Sequence, residues 1–195
     1  DGQKFEHYYC PDKVVMGISV NHLHKLIKTI NNTDTVTFFQ TRSNTNELGI
    51  RIENADKNSR TVFNLKLMDI DEKDINIPKV EINCIVTMPS NDFQRLCRDM
   101  LNISDTISIK SENENLKIIC EGDFARQETY IGEATHGLIF NKNENAGIFE
   151  GTFSLKYLNL FTKSTNLCNT IELYLKNDFP LILKYNVANL GEIRF

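Results

Sequence analysis

The 195-residue sequence predicts an α+β fold made of one repeated unit. The unit is a strand, an amphipathic helix and then several strands, with the helices on one face and antiparallel sheets on the other. Two observations predict it. Helix-period apolar stripes recur three times, each followed by short alternating strands bounded by Asn, Ser and Asp turns. An acidic, proline-containing stretch, Leu65 to Pro89 (LKLMDIDEKDINIPKVEINCIVTMP), separates two similar halves. With Asp69, Asp71, Glu72, Asp74 and Pro78, its middle cannot form a buried strand or a regular helix.

In the first copy, Val14 to Val20 reads as a strand. Asn21 to Ile30 follows as a helix, with Leu23, Leu26, Ile27 and Ile30 inward and His22, Lys25 and Lys28 outward. Thr35 to Gln40, Leu48 to Glu53 and Thr61 to Leu67 read as strands. In the second copy Ile82 to Met88 is a strand, and Pro89-Ser90 supplies a stop and an N-cap. A helix over Asn91 to Leu101 then sets Phe93, Leu96, Cys97 and Met100 inward and Arg95 and Arg98 outward. Strands are expected at Thr106 to Lys110, Leu116 to Glu121, Phe124 to Gly132 and Gly137 to Asn141. The third copy begins at Gly151: Thr152 to Ser154 ends a strand, and a short helix follows, Leu155 to Thr162, with Lys156, Asn159 and Lys163 outward. Strands Asn169 to Lys176, Leu181 to Val187 and Gly191 onward complete it. The copies span about 14–67, 82–132 and 148–188. One unit cannot bury both its helix and its sheet, so units must pack in pairs. Copies two and three form one pair, and copy one is expected to lack an opening repeat that belongs to a longer protein.

Composition narrows the function. Hydrophobic residues make up 41% and charged residues 25%, ordinary for a globular domain. No apolar run reaches the roughly 18 residues that span a bilayer, so no membrane role is expected. The five cysteines are scattered without CxxC pairs or zinc-ligand spacing, and are read as reduced, small hydrophobes. No catalytic constellation or cofactor motif is present: GxGxxG, GxxxxGK[ST], HExxH and GxSxG are all missing. The Asp69, Asp71, Glu72 and Asp74 cluster lacks EF-hand spacing, and no metal or other cofactor is expected.

The net charge of −4 argues against nucleic acid only if charge is spread evenly, and it is not. The outer helix faces carry cations in all three copies while strands and connector carry the carboxylates. Repeats related by pseudo-symmetry would sum those cations into a positive stripe that contacts phosphates without reading bases. With Phe93 and Tyr157 placed on or near apolar faces, no aromatics interleave with it as single-strand stacking requires. Duplex backbone contact is favoured.

LKLMDIDEKDINIP, VTMPSNDFQRLCRDM and FSLKYLNLFTKST closely resemble stretches of the proliferating cell nuclear antigen family, the DNA sliding clamps. YYCPDKVVMGISVNHLHKLIK matches in register. The resemblance covers essentially the whole chain and implies the DNA-clamp fold, a homotrimeric ring and a non-enzymatic processivity factor. It implies that Lys25, Lys28, Arg95, Arg98, Lys156 and Lys163 face double-stranded DNA in the central hole. Ile75, Ile77 and Pro78, with Pro180 nearby, would dock short motifs of DNA polymerase, clamp loader, ligase and nuclease. Phe63, Phe124 and Tyr130 would lie where subunits pair. The implied boundaries are 1–67 for a partial N-terminal domain, 68–82 for an interdomain connecting loop and 83–195 for the C-terminal domain. Asn113 stands where eukaryotic clamps carry a ubiquitin-accepting lysine, with Lys110 and Lys117 nearby. The implied place of action is the nucleus or a viral replication site. Two other readings stay open: an interaction scaffold of the same fold without ring closure, and a Mg²⁺ nuclease built on the Asp69–Asp74 cluster.

Overall fold

A computed structural model describes residues 2–70, 82, 84–112, 115–142, 147–188 and 190–195. The chain divides into two compact units, residues 9–77 and residues 78–195 together with 1–8.

Residues 9–77 contain helix α1 (Val20–Ile27) and a three-stranded antiparallel sheet of β1 (Thr35–Thr41), β2 (Asn44–Asn54) and β3 (Ser59–Lys66), in that order. Side chains alternate across a strand, so Leu48, Ile50 and Ile52 of β2 and Leu65 of β3 fall on one face and are buried. Met16, Ile18, Leu23, Leu26 and Ile30 pack against them. On the other face the Phe39 ring occupies the space a Cβ on Gly49 would need, and the Arg51 guanidinium lies 5.2 Å from that ring. Glycine is thus required where β1 lays an aromatic flat across β2.

Two expectations for this unit need correction. Val14 to Val20 is not a strand: only an isolated bridge joins Gly17 to Met68, with Met68 N–H donating to the Gly17 carbonyl at 2.9 Å. A Cβ at Gly17 would overlap the Met68 carbonyl. Ser19 then caps α1, its hydroxyl accepting from the His22 N–H at 3.5 Å, which draws Val20 into the helix. The helix also ends early, at Ile27 rather than Ile30. The Asp34 carboxylate accepts from the Asn31 N–H at 2.8 Å and closes the following turn.

Residues 78–195 hold β4 (Cys84–Pro89), α2 (Ser90–Leu101), β5 (Thr106–Glu112), β6 (Asn115–Glu121), β7 (Arg126–Gly132), β8 (Ile139–Lys142), β9 (Phe149–Ser154), α3 (Leu155–Phe161), β10 (Thr170–Leu175), β11 (Ile182–Val187) and β12 (Gly191–Arg194). They build two sheets, in the orders β12-β11-β10-β4-β8 and β7-β6-β5-β9, and every ladder is antiparallel. The two repeats exchange their leading strands. β4 opens the second copy yet pairs with β10 of the third, from Thr170↔Pro89 to Leu175↔Cys84. β9 opens the third copy yet pairs with β5 of the second.

Alternating residues of β4 (Cys84, Val86, Met88), β5 (Ile107, Ile109), β6 (Leu116, Ile118, Cys120) and β10 (Ile171, Leu173, Leu175) meet Phe93, Cys97 and Met100 of α2 and Leu155 and Leu158 of α3 in one core. Each fully buried aliphatic contributes roughly 1.5–3 kcal/mol. Cys84, Cys97 and Cys120 are buried, and burial pushes the Cys97 thiol up to about 12.

Three local expectations change here. Ser90 is not a side-chain N-cap. It is the first helical residue, fully buried, and its hydroxyl donates to the Cys168 carbonyl while its N–H donates to the Asn169 carbonyl at 2.9 Å. Asn159 does not face outward, because its amide donates to the Cys97 carbonyl at 3.0 Å and the Leu155 carbonyl at 2.9 Å, tying α3 to α2. β7 begins at Arg126, so Phe124 sits in the turn before it, closed by Gly122 N–H donating to the Ala125 carbonyl at 2.9 Å.

A Cβ on Gly122 would overlap the Ile103 carbonyl, whereas nothing lies within 4 Å of one on Gly147. Gly122→Ala is expected to lower stability by about 1–3 kcal/mol, the usual range for overpacking, and Gly147→Ala to leave it unchanged. Urea midpoints check this, and equal midpoints for the two variants would contradict it.

Candidate functional site

The cations expected at the DNA-facing positions are exposed on, or just beyond the ends of, the helices of their own units. Lys25 lies on α1, and Lys28 caps its C-terminal end. On α2, Arg95 reaches Asp92 at 3.5 Å and Arg98 reaches Asp99 at 3.4 Å. All four side chains are at least half exposed, so these pairs contribute little and can yield to phosphate. Lys156 is exposed on α3. Lys163 lies beyond that helix, in the 3-10 turn Thr162–Leu167.

Tyr157, placed by its apolar neighbours at or near a buried face, is instead 57% exposed beside Lys156. Its ring stacks on Phe161 with centroids 6.3 Å apart, and Phe161 stacks on Phe195 at 4.8 Å. The surface of α3 is therefore a cation next to a supported aromatic.

Of the expected docking residues, Ile75, Ile77 and Pro78 lie outside the described residues, as do Asp71, Glu72, Asp74 and Asn113. Pro180 is described and exposed, next to a turn in which Asp178 takes φ 60°. Lys110 and Lys117, beside the Asn113 position, are ion-paired to Glu112 at 3.2 Å and Glu128 at 2.9 Å.

The expected subunit positions fall at strand edges. β3 has a neighbour only on its β2 side, and β7 only on its β6 side, among the described strands. Phe63 is half-buried against its own core. It also lines an open cleft of about 320 Å³ with Asn31, Asp34, Asn54, Ser59 and Thr61. Within that cleft the Asn54 amide donates to Asp34 at 2.6 Å. That bond, helped by the Asn31 N–H, holds the carboxyl below the usual carboxylate range. Phe124 is 77% exposed and Tyr130 64% exposed.

Around Tyr130 the structure shows a network that sequence reading missed. The Tyr130 hydroxyl donates to Glu128 at 2.7 Å, Lys117 pairs with the same carboxylate at 2.9 Å, and Arg126 donates to its other oxygen. The Lys117 ammonium also lies 4.9 Å from the Tyr130 ring centroid. Tyr130 first, then Lys117 and Arg126, pull the Glu128 carboxyl down to about 2. Tyr130 and Glu128 raise Lys117 above the ordinary lysine value. The i, i+2 spacing of Arg126, Glu128 and Tyr130 was the available signal. The register Lys117↔Tyr130, which joins the network, was not.

The family model for the N-terminal domain of proliferating cell nuclear antigen matches residues 1–75, and that for its C-terminal domain matches residues 76–195. The chain belongs to the proliferating cell nuclear antigen family. It is also 37% identical over 199 aligned positions to a protein of Paramecium bursaria Chlorella virus 1 named "Probable DNA polymerase sliding clamp 1", covering all of this chain and 75% of that relative. The antiparallel sheets and short helices are those of a clamp, and the family is one of processivity factors.

The clamp's Glu128 gives a pH test. A carboxyl whose folded value is depressed stabilises above its unfolded value, near 4.5, and that contribution is lost as pH falls through about 2. Urea midpoints of the wild type should therefore fall between about pH 4.5 and 2 more steeply than those of Glu128→Gln. Parallel acid limbs would contradict the network.

Proposed function

We propose that this protein is a DNA polymerase processivity factor that closes into a homotrimeric ring around duplex DNA. The observation that carries the reading is the recurrence of exposed cations on α1, α2 and α3, in a chain whose net charge is −4. Lys25, Lys28, Arg95, Arg98, Lys156 and Lys163 line the hole and neutralise phosphates. Contact of this kind carries no base information, which a sliding ring needs. Encirclement tethers the polymerase and raises its effective concentration at the primer end, and no bond is made or broken by the clamp.

Residues 1–67 act as part of the first clamp domain, 68–82 as its connecting loop and 83–195 as the second domain. Ile75, Ile77, Pro78 and Pro180 receive short motifs of polymerase, loader, ligase and nuclease. β3, with Phe63, meets β7, with Tyr130 and the preceding Phe124, between subunits. A viral relative favours a replication site in an infected cell over a host nuclear role.

Reversing Lys25, Arg95 and Lys156 together to Glu is expected to abolish polymerase stimulation at moderate salt while leaving the oligomer mass unchanged. Stimulation that survives would overturn the DNA-facing assignment, and a wild type that is strictly monomeric would favour a scaffold without ring closure. Ile77→Ala is expected to weaken binding of a partner peptide by about 1–3 kcal/mol, as for a buried anchor. Calorimetry with unchanged affinity would remove Ile77 from the docking site.

A further inference from the structure

Helix α1 carries a chemistry that α2 and α3 do not share. Its eight residues, Val20–Ile27, hold two histidines, His22 and His24, and no carboxylate. On α2, by contrast, Arg95 and Arg98 each have an aspartate within reach. Leu23 and Leu26, packed on the core, fix the phase of α1, so Asn21, Lys25 and Lys28 run down the middle of its outer face. At about 100° per residue, His22 falls on one flank of that row and His24 on the other, and both are exposed. His22 precedes Lys25 by three positions and His24 precedes Lys28 by four, the spacings that bring helical side chains together.

What packs against α1 brings no charge to either imidazole. The sheet face beneath it presents Leu48, Ile50 and Ile52 of β2 with Phe63 and Leu65 of β3. Glu47, Arg51, Glu53, Arg60 and Lys66 alternate onto the opposite face. The carboxylates that flank the helix are Asp34, already engaged by Asn31 and Asn54, and Asp69, one residue past the Met68 that bridges to Gly17. Among the described residues neither imidazole has a hydrogen-bond or ion-pair partner.

We propose that α1 is a proton-dependent grip on the duplex: His22 and His24 take up protons as DNA binds and join Lys25 and Lys28 in phosphate contact. The inference rests on the DNA-facing assignment of those lysines and adds two residues and a pH dependence to it. Imidazole is the side chain whose charge changes between about pH 5 and 8. In the free clamp each imidazolium stands beside a lysine ammonium, and like charges at these spacings repel. A phosphate laid along the helix offsets that repulsion and attracts the added charge, so the bound state holds more protons than the free one. By linkage, affinity for duplex then rises as pH falls. Contact of this kind adds charge without reading bases, so the grip tightens while sliding stays indifferent to sequence.

The test titrates the full-length protein against a short dye-labelled duplex and reads anisotropy over a range of salt concentrations. From about pH 7.5 to 6 the wild type should bind about tenfold more tightly, as for a single linked proton. Over the same range its salt slope should steepen by about one to two. His22→Gln with His24→Gln should remove most of that rise, whereas His136→Gln, in the turn between β7 and β8, should keep it. The proton NMR signals of the two imidazoles, assigned with the single variants, should titrate at higher pH with duplex than without.

Affinity that is flat with pH, a rise that survives the double variant or is lost in His136→Gln, or imidazole signals indifferent to duplex overturns the proton-dependent grip. Each of these leaves the DNA-facing lysines standing. Duplex binding unchanged by Lys25→Glu with Lys28→Glu overturns the DNA-facing assignment itself.

Discussion

In residues 78–195 each strand–helix unit gives its first strand to the other unit's sheet, β4 to β10 and β9 to β5. Most else in that unit depends on this exchange. A helix that follows β4 leaves the edge of the other repeat's strand. The fully buried Ser90 fastens that departure, binding the carbonyls of Cys168 and Asn169 at the start of β10. The mirror arrangement holds α3, whose first N–H donates to the Asp105 carbonyl at 2.8 Å, just before β5. Two helices launched from opposite sheets are thereby brought side by side, and Asn159 closes the contact on the Cys97 carbonyl. Neither repeat keeps a complete sheet without the other, so the pair folds around one core.

That layering also sorts charge. Carboxylates on the exposed sheet faces are taken up by local networks. Glu172 accepts from Tyr174 at 2.7 Å, Asn186 at 2.6 Å and Lys184 at 3.3 Å, and Glu128 is held by Tyr130, Lys117 and Arg126. Sheet cations are spent in the same networks, Lys184 reaching Glu192 as well at 3.4 Å. The helix cations are left in loose, exposed pairs or at the surface. A net negative chain can therefore present exposed helix cations: many of its carboxylates are taken up in the sheet networks, while on α2 Asp92 and Asp99 pair only loosely with Arg95 and Arg98.

The legible parts of the fold were those decided within a few residues. Strands such as Thr106–Glu112 announce themselves by alternation, and α2 by Phe93, Cys97 and Met100 at helical spacing. The illegible parts depended on a partner far away in sequence. Val14 to Val20 has the composition of a strand, but the backbone approach of Gly17 to Met68 limits it to a single bridge. Asn159 is polar at an outward-looking position, yet its acceptor is sixty-two residues away. The cations were readable because a surface position needs only the helix phase. The Glu128 network was not, because it needs the register of β6 on β7.

Free strand edges invite promiscuous pairing, and charged side chains along them are the common protection. β3 and β7 show this protection unequally. The outer row of β3 is cationic at both ends, with Val62 between. The outer row of β7 holds a carboxylate already saturated by its neighbours and an aromatic fixed in place. Two copies of β3 side by side in antiparallel register would set Arg60 against Lys66. Two copies of β7 would bring a pair of saturated networks together with nothing to exchange. The charged and already engaged side chains along each edge thus keep it from pairing with a copy of itself.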